Sequence, residues 1–238
     1  EEIGRGAEHM NLDKAQASAG YTLDGSGHGE VEGENFSADQ ITVQAVGYNI
    51  HPSLGKGRMV NAARGLALLL AELPLHELTP ESTEGKEGFL HPYFVRGDVS
   101  HAEASILLRD FVTSRLDDYA QLVQDAADKT RQALPGLKFE LKRTRQYRNM
   151  ADFLRGSPHV VDLAAQAFEM LGRDCHRGAI RGGTDGAMFS ELGLPTPNLS
   201  VGQHNIHSVL EFASLNEMVW AVEHAAKLLE LWQQHGRS

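Results

Sequence analysis

The sequence predicts an α/β fold into which a smaller α+β domain is inserted. Residues 37–150 alternate strand-like and helical patterns in an order that closes one domain. The flanking pieces, residues 1–36 and 151–238, each look incomplete alone. We therefore expect the two flanking pieces to fold together, with the inserted domain between them.

The inserted domain is predicted from hydrophobic periodicity and from proline and glycine stops. The pattern gives six elements: a strand at 41–49, a helix at 59–73 before Pro74, strands at 88–97 and 103–111, a helix at 115–134 before Pro135, and a strand at 138–143. This order, strand, helix, strand, strand, helix, strand, is the split pattern of a ferredoxin-like sandwich.

The flanking pieces contain two strand-like runs and two helices with recognisable ends. The runs lie at 19–25 and 30–36, and Glu30, Glu32 and Glu34 alternate in the second run, which indicates one solvated face.

The first helix of the rear piece starts at Pro158 and is closed by Gly172, and the last helix follows Ser214. Ser214 and Glu217 match a capping box, in which each side chain would bond to a backbone N–H of the first helical turn.

Composition excludes several classes of function. Acidic residues outnumber basic ones by 32 to 22, and the net charge of −10 is the wrong sign for nucleic acid or anionic membranes. The single cysteine, Cys175, cannot form an intrachain disulfide, and no apolar run has the length of a membrane helix. These features predict a reducing, cytoplasmic location.

Common catalytic and nucleotide-binding motifs are absent from the sequence. The stretch GSGHGE lacks the third glycine of a dinucleotide-binding loop, and GYNIHPSLGKG has the wrong spacing for a phosphate-binding loop. No serine has the two glycines of a nucleophile elbow. Cys175 is interpreted as an inert thiol rather than a nucleophile.

Carboxylates and imidazoles in loops or at strand ends remain as candidates for chemistry. They are Glu1, Glu2, Asp24, His51, Asp185 and His207, and Arg181 is a candidate beside them. Taken singly, each has an ordinary explanation, such as a turn former or a solvated terminus. Taken together, they form a ligand set that suits zinc, manganese or cobalt, and adjacent glutamates can divide the roles of ligand and general base.

Several segments resemble a known family in order and spacing. They are EEIGRGAEH, YTLDGSG, GYNIHPSLGKGRMVNA, ILLRDF, IRGGTDGA, LPTPNLSVG and NIH followed by EF. The chain resembles the cocatalytic zinc exopeptidases and amidohydrolases, and within them the aminopeptidases that act on tripeptides. The resemblance implies a metal-binding α/β domain, residues 1–36 and 151–238, with a ferredoxin-like lid and dimerisation domain at 37–150.

The resemblance also implies roles for the metal residues. Glu1 matches the general base, which takes a proton from the attacking water. Glu2 and His207 match ligands of one zinc ion, and Asp24 matches a ligand of the second. Two zinc ions per complete site are expected, with cobalt or manganese as alternatives.

Three further residues match substrate-contacting positions of the family. His51 matches the histidine that stabilises the tetrahedral oxyanion. Arg109 and Arg181 match positions that can clamp a peptide carboxylate, because a guanidinium has forked donors. Asp185, Asn198 and His204 lie in family-like segments and receive no role.

The resemblance leaves the metal site incomplete. The family also uses a His-x-Asp histidine and a bridging aspartate upstream of Glu1, and the chain contains no His-x-Asp. We therefore expect the chain to be the C-terminal part of a longer zinc-dependent aminopeptidase that acts on short peptides, and to be inactive alone.

The alternatives that remain open are a related zinc dipeptidase or amidohydrolase and a non-catalytic dimerisation module. The resemblance also leaves open a homodimer formed through the lid.

Overall fold

The computed structural model describes residues 6–236 and divides the chain into two compact units. The inserted unit comprises Phe36–Tyr147. The two-segment unit comprises the residues up to Asn35 together with those from Arg148 onward.

The described residues form nine strands and seven α-helices, with single 3₁₀ turns at Gly6–His9 and Pro52–Leu54. The strands are β1 (Thr22–Ser26), β2 (Glu30–Asn35), β3 (Ser37–Val46), β4 (Phe89–Gly97), β5 (His101–Asp110), β6 (Lys138–Tyr147), β7 (His176–Ile180), β8 (Asn198–His204) and β9 (Phe212–Ala213). The helices are α1 (Leu12–Ala15), α2 (Ala62–Ala71), α3 (Arg115–Ala133), α4 (Ala151–Leu154), α5 (Pro158–Met170), α6 (Asp185–Glu191) and α7 (Leu215–His235).

The inserted unit is a four-stranded antiparallel sheet in the order β4-β5-β3-β6, with α2 and α3 packed on one face. Alternate residues of β3 and β5, such as Val43 and Ile106, meet Leu66, Leu116 and Val123 of the helices in a buried core. The Asn61 side chain caps α2 by accepting a hydrogen bond from the Arg64 N–H at 2.9 Å. The predicted element order and the mixed α/β fold class are confirmed.

The two-segment unit contains a mixed sheet in the order β1-β8-β2-β7, extended by β9 next to β8. β1 runs parallel to β8, β2 runs antiparallel to β8, and β7 runs parallel to β2. One face packs on α5 and α7 through Val31 and Leu199, which meet Phe168, Leu228 and others in a buried core. The side chains at the alternate strand positions occupy the opposite face.

Two buried asparagines join the ends of the two segments at the insertion point. The Asn35 N–H donates to Asn149 Oδ1 at 3.1 Å, and the Met150 N–H donates to Asn35 Oδ1 at 2.7 Å. Because both side chains are almost fully buried, each must find its partners within the protein. These two hydrogen bonds hold the residue at which the chain leaves the two-segment unit next to the residues at which it returns.

Candidate functional site

The parallel pair of β1 and β8 brings the segments of two predicted metal ligands to one end of the sheet. Thr22 pairs with Asn198 and Ser26 with Gln203, with register shifts between. Asp24 is exposed and precedes this last pair by two residues, and His207 follows it by four. Because the carboxyl ends of parallel strands meet at one edge, this edge is the candidate functional site.

Close approach of the two strands depends on Gly25. A Cβ atom at this position would lie 2.9 Å from the carbonyl oxygen of Leu199 and from the backbone of Ser200. Any other residue would push β1 away from β8. The glycine that follows Asp24 therefore has a packing role beyond the turn-forming one that its sequence neighbours indicate.

A polar network covers one face of this sheet. Thr22 Oγ1 donates to Asn198 Oδ1 at 2.8 Å, and Asn198 Nδ2 donates to Glu32 Oε2 at 2.7 Å. Burial is the largest influence on Glu32 and raises the pKa of its carboxyl, while the hydrogen bond from Asn198 partly offsets this. The negative charges of Glu30 and Asp24 raise the pKa of Glu32 further.

The structure corrects the prediction that one face of β2 is solvated. Glu30, Glu32 and Glu34 are all only partly exposed. On the neighbouring strand, a Cβ atom at Gly178 would lie 2.8 Å from Glu30 Oε2, so the glycine leaves room for that carboxylate. Sequence alternation revealed the shared face of these glutamates but could not reveal their neighbours on β7 and β8.

His207 lies in a tight loop between β8 and β9. Its backbone has φ +63°, and Asn205 has φ +53°, conformations that non-glycine residues adopt rarely. The His207 N–H donates to Glu211 Oε2 at 2.8 Å, and Asn205 Nδ2 donates to the Leu210 carbonyl at 3.2 Å. The imidazole is exposed.

An unpredicted cluster of two histidines and a glutamate lies beside this loop. Glu217 accepts hydrogen bonds from His28 Nδ1 at 3.0 Å and from His204 Nε2 at 2.5 Å. The contact with His204, and secondarily that with His28, lowers the pKa of the Glu217 carboxyl. The predicted capping box is therefore wrong, since Ser214 makes no side-chain cap bond and Glu217 bonds to the histidines instead.

Of the other predicted residues of the two-segment unit, the structure describes only Arg181. Glu1 and Glu2 lie outside the described residues. Arg181 follows β7, which runs antiparallel to β8, so its segment starts at the opposite end of the sheet. Within residues 6–236, no group of three or more histidine, cysteine or acidic side chains is arranged to hold a metal ion.

His51 and Arg109 both lie in the inserted unit. His51 is exposed and caps the 3₁₀ turn Pro52–Leu54, where its Nδ1 accepts from the Ser53 N–H at 3.3 Å and lies 2.7 Å from Ser53 Oγ. An Nδ1 that accepts a hydrogen bond places the proton of a neutral imidazole on Nε2. The cap therefore leaves Nε2–H as the donor of this ring.

Arg109 is a half-buried cation held by neutral groups. Its Nη1 donates to Gln146 Oε1 at 2.7 Å, and its guanidinium carbon lies 5.0 Å from the centre of the Tyr147 ring. Burial lowers the pKa of this guanidinium. The charge of nearby Asp39 partly offsets this lowering of the pKa, but Asp39 forms its own ion pair with Arg143 at 2.6 Å. A half-buried cation in this state favours an anionic ligand.

Residues 33–137 match the family model of a peptidase dimerisation domain. The chain is 40% identical over 242 aligned residues to a peptidase T from Salmonella enteritidis, and the alignment covers all of this chain and 58% of that relative. The similarity to that peptidase T therefore runs along the whole chain. The chain spans less than two thirds of the length of this curated relative.

Two solved structures share the fold of this chain. A tripeptidase from Staphylococcus aureus has a TM-score of 0.84 at 20% identity, covering 97% of this chain and 61% of that one. A dinuclear metal-binding peptidase of the M20 family from Bacillus subtilis has a TM-score of 0.68 at 15% identity, covering 96% and 61%.

The segment that matches this family model begins within β2 and ends at the residue before β6. It therefore covers every strand and α-helix of the inserted unit except β6. In the part of the chain that the structure describes, no helix combines the length and apolarity needed to cross a bilayer.

Replacement of Glu32 by glutamine is expected to stabilise the metal-free protein at pH 7 but not at pH 4. The folded-state pKa of Glu32 is raised, so the folded protein loses stability as the pH rises from about 4.5, the ordinary value, through that pKa. Glutamine keeps the acceptor for Asn198 and carries no charge.

The test compares the thermal midpoint of E32Q with that of the wild type at both pH values, in buffer with a chelator. E34Q on the same strand controls for the loss of one carboxylate. A thermal midpoint for E32Q at or below the wild-type value at pH 7 would show that ionised Glu32 does not destabilise the folded protein.

Proposed function

We propose that the chain is the C-terminal part of a metal-dependent aminopeptidase that releases the N-terminal residue of short peptides, tripeptides above all, in the cytoplasm. The observation that carries this proposal is the 40% identity to peptidase T along the whole chain. The shared fold with a tripeptidase supports the same substrate class. We call the complete protein the parent protein.

The residues at the carboxyl end of β1 and β8 fit a divalent cation. Asp24 offers carboxylate oxygens and His207 an imidazole nitrogen, both of which zinc takes as ligands. Burial is the main cause of the raised pKa of Glu32, and the charges of Glu30 and Asp24 add to it, a repulsion that a cation would relieve. In the proposal Glu2 and other parts of the parent protein complete the set, and the dinuclear relative supports two ions.

When bound there, zinc would lower the pKa of a coordinated water and polarise the scissile carbonyl. Glu1 would accept the proton of the attacking water on a carboxylate oxygen and pass it to the leaving amine. His51 would donate from Nε2–H to the oxyanion, a role supported by the tautomer that its cap with Ser53 selects.

Arg109 would bind the C-terminal carboxylate of the peptide. A neutral hydrogen-bond chain orients its guanidinium: Gln146 accepts from Arg109 and donates to Gln40 Oε1, which also accepts from Tyr93 Oη. Since these partners are uncharged, a peptide carboxylate would provide the missing negative charge. Arg181 is proposed for the same task on the resemblance alone.

A homodimer through the dimerisation domain is part of this proposal. Edge strand β4 is unpaired on its outer side in the sheet order and exposes Tyr93, Phe94 and Val95. Beside it, a groove of about 400 Å³ is lined by apolar residues of α2 and by the end of β4. An exposed strand edge next to an apolar groove suits pairing with a second copy.

The parent protein is expected to cleave the first peptide bond of a tripeptide only when loaded with zinc or cobalt, and to leave N-acetylated tripeptides intact. E1Q should lower kcat about 10²- to 10⁴-fold with metal content unchanged, whereas E2Q should lower metal content. Mass spectrometry of products and elemental analysis measure these effects.

Equal cleavage of acetylated substrates would favour the related amidohydrolase, and absence of both metal and hydrolysis would favour a non-catalytic module.

Arg109→Gln is expected to raise KM for tripeptides roughly 10-fold or more, because a charge-assisted bond to the carboxylate is lost, while KM for C-terminally amidated tripeptides changes little. Steady-state kinetics on both substrates measure the effect. R131Q is the matched control, since Arg131 of the same unit pairs with Asp128 on α3 and does not line the groove. Equal KM increases for acid and amide substrates would contradict the assignment.

A further inference from the structure

In the cluster of His28, Glu217 and His204, both carboxylate oxygens of Glu217 accept a hydrogen bond from a histidine. Glu217 Oε1 accepts from His28 and Oε2 from His204. The Glu217 side chain is only 15% exposed, compared with 33% for His204 and 55% for His28. An exposed surface ion pair contributes little, but a shielded carboxylate that bridges two rings holds both in place.

Glu217 itself is held rigidly against β8. It lies in the first turn of α7, where the Ser214 N–H donates to the Gly202 carbonyl at 2.8 Å. Gly202 has φ +84°, and a Cβ atom there would lie 2.8 Å from the Cβ atom of Glu217. The helix start and the strand are therefore in direct backbone contact, and the carboxylate projects from a fixed point.

The His28 side of the cluster anchors the loop that follows β1. The Gly27 N–H donates to the Gln203 carbonyl at 2.9 Å, and the Gly202 N–H donates to the Gly27 carbonyl at 2.7 Å. The His28 ring meets the Trp220 ring edge to face at 4.9 Å. The strand that carries Asp24 thus ends in a loop tied to both β8 and α7.

The His204 side anchors the loop that carries His207. The His204 ring stacks on the Phe212 ring with centroids 4.8 Å apart, at the base of the β8–β9 pair. Above this base, Asn205 and His207 adopt left-handed backbone conformations. Such conformations are strained for residues other than glycine and persist only where the surroundings impose them. The stacked rings of His204 and Phe212 at the base of the loop provide such a constraint.

We propose that Glu217 is a positioning residue that, through His28 and His204, sets the spacing between Asp24 and His207. The ligand roles of Asp24 and His207 belong to the proposed function, on which this inference rests. Glu217 itself touches neither substrate nor metal in this account. Its task is to hold the two loops so that the cation meets both ligands without a loop rearrangement.

Glutamine at position 217 is a sharp test because it keeps the size of glutamate but not its hydrogen-bonding capacity. A carboxylate accepts from both rings, whereas an amide has one accepting oxygen and one donating nitrogen. At least one histidine must then turn, break its bond or change tautomer to accept from the amide, and both rings lose a charged partner. The lowered pKa of Glu217 indicates that the bridging group is the ionised carboxylate at neutral pH.

The experiment measures Co²⁺ binding by the parent protein from its visible absorption, together with hydrogen exchange of residues 205–211. E217Q is expected to weaken Co²⁺ binding by roughly 10- to 100-fold, the usual effect of losing a residue that orients a metal ligand, to alter the absorption band and to speed exchange in the loop. E230Q is the matched control on the same helix, since Glu230 pairs with Lys227 and lies 13 residues beyond Glu217. It should behave like the wild type.

H28A provides a second variant should E217Q fold poorly, because the His28 ring is largely exposed. It removes half of the bridge and should weaken Co²⁺ binding by a smaller factor. Wild-type affinity, absorption and exchange in E217Q and H28A would overturn the inference, as would faster exchange with unchanged Co²⁺ binding.

H207A separates this inference from the proposed function. If H207A loses Co²⁺ binding while E217Q retains it, only the positioning role of Glu217 is wrong. If H207A binds Co²⁺ as the wild type does, the proposed ligand is wrong and the positioning role is overturned with it.

Discussion

Parallel pairing between β1 and β8 joins segments that lie at opposite ends of the chain, since Thr22 and Asn198 are 176 residues apart in sequence. This pairing carries Asp24 and His207 to one end of a sheet. It depends on Gly25, where a side chain would strike the backbone of β8. The two segments tolerate the inserted unit between them because hydrogen bonds of the buried Asn35 and Asn149 hold the end of the first segment next to the start of the second.

Charge is distributed differently in the two units. The two-segment unit gathers carboxylates on one face of its sheet, where burial and mutual repulsion raise the pKa of Glu32. The inserted unit holds a half-buried guanidinium, Arg109, whose hydrogen-bond partner Gln146 is neutral and whose nearby carboxylate, Asp39, is paired with Arg143. Each arrangement favours a partner of opposite charge. In the proposed function these partners are the divalent cations and the carboxylate of a short peptide.

Periodicity and turn residues were sufficient to predict the order of elements in the inserted unit, because each of its strands and helices has a local amphipathic signal. The roles of the site residues were inferred from the resemblance. The strand order places the segments of Asp24 and His207 at one end of the sheet and that of Arg181 at the other end. Register between distant strands decides these relations. A single sequence does not encode them in any short pattern.

Glu217 illustrates the same limit. Its spacing from Ser214 is that of a capping box, yet the structure pairs it with histidines 189 and 13 residues away. The Ser214 and Glu217 spacing did predict the start of a helix correctly, since α7 begins at Leu215. The competing tertiary contact was stronger, because two charge-assisted hydrogen bonds outweigh one bond to a backbone N–H.

Anomalous diffraction at the zinc edge from crystals of the zinc-loaded parent protein tests the central claim most directly. The account predicts a peak about 2.0–2.2 Å from the His207 imidazole, and a second at that distance from an Asp24 oxygen. Zinc peaks that lie elsewhere, with both side chains in the contacts they make without metal, would contradict it.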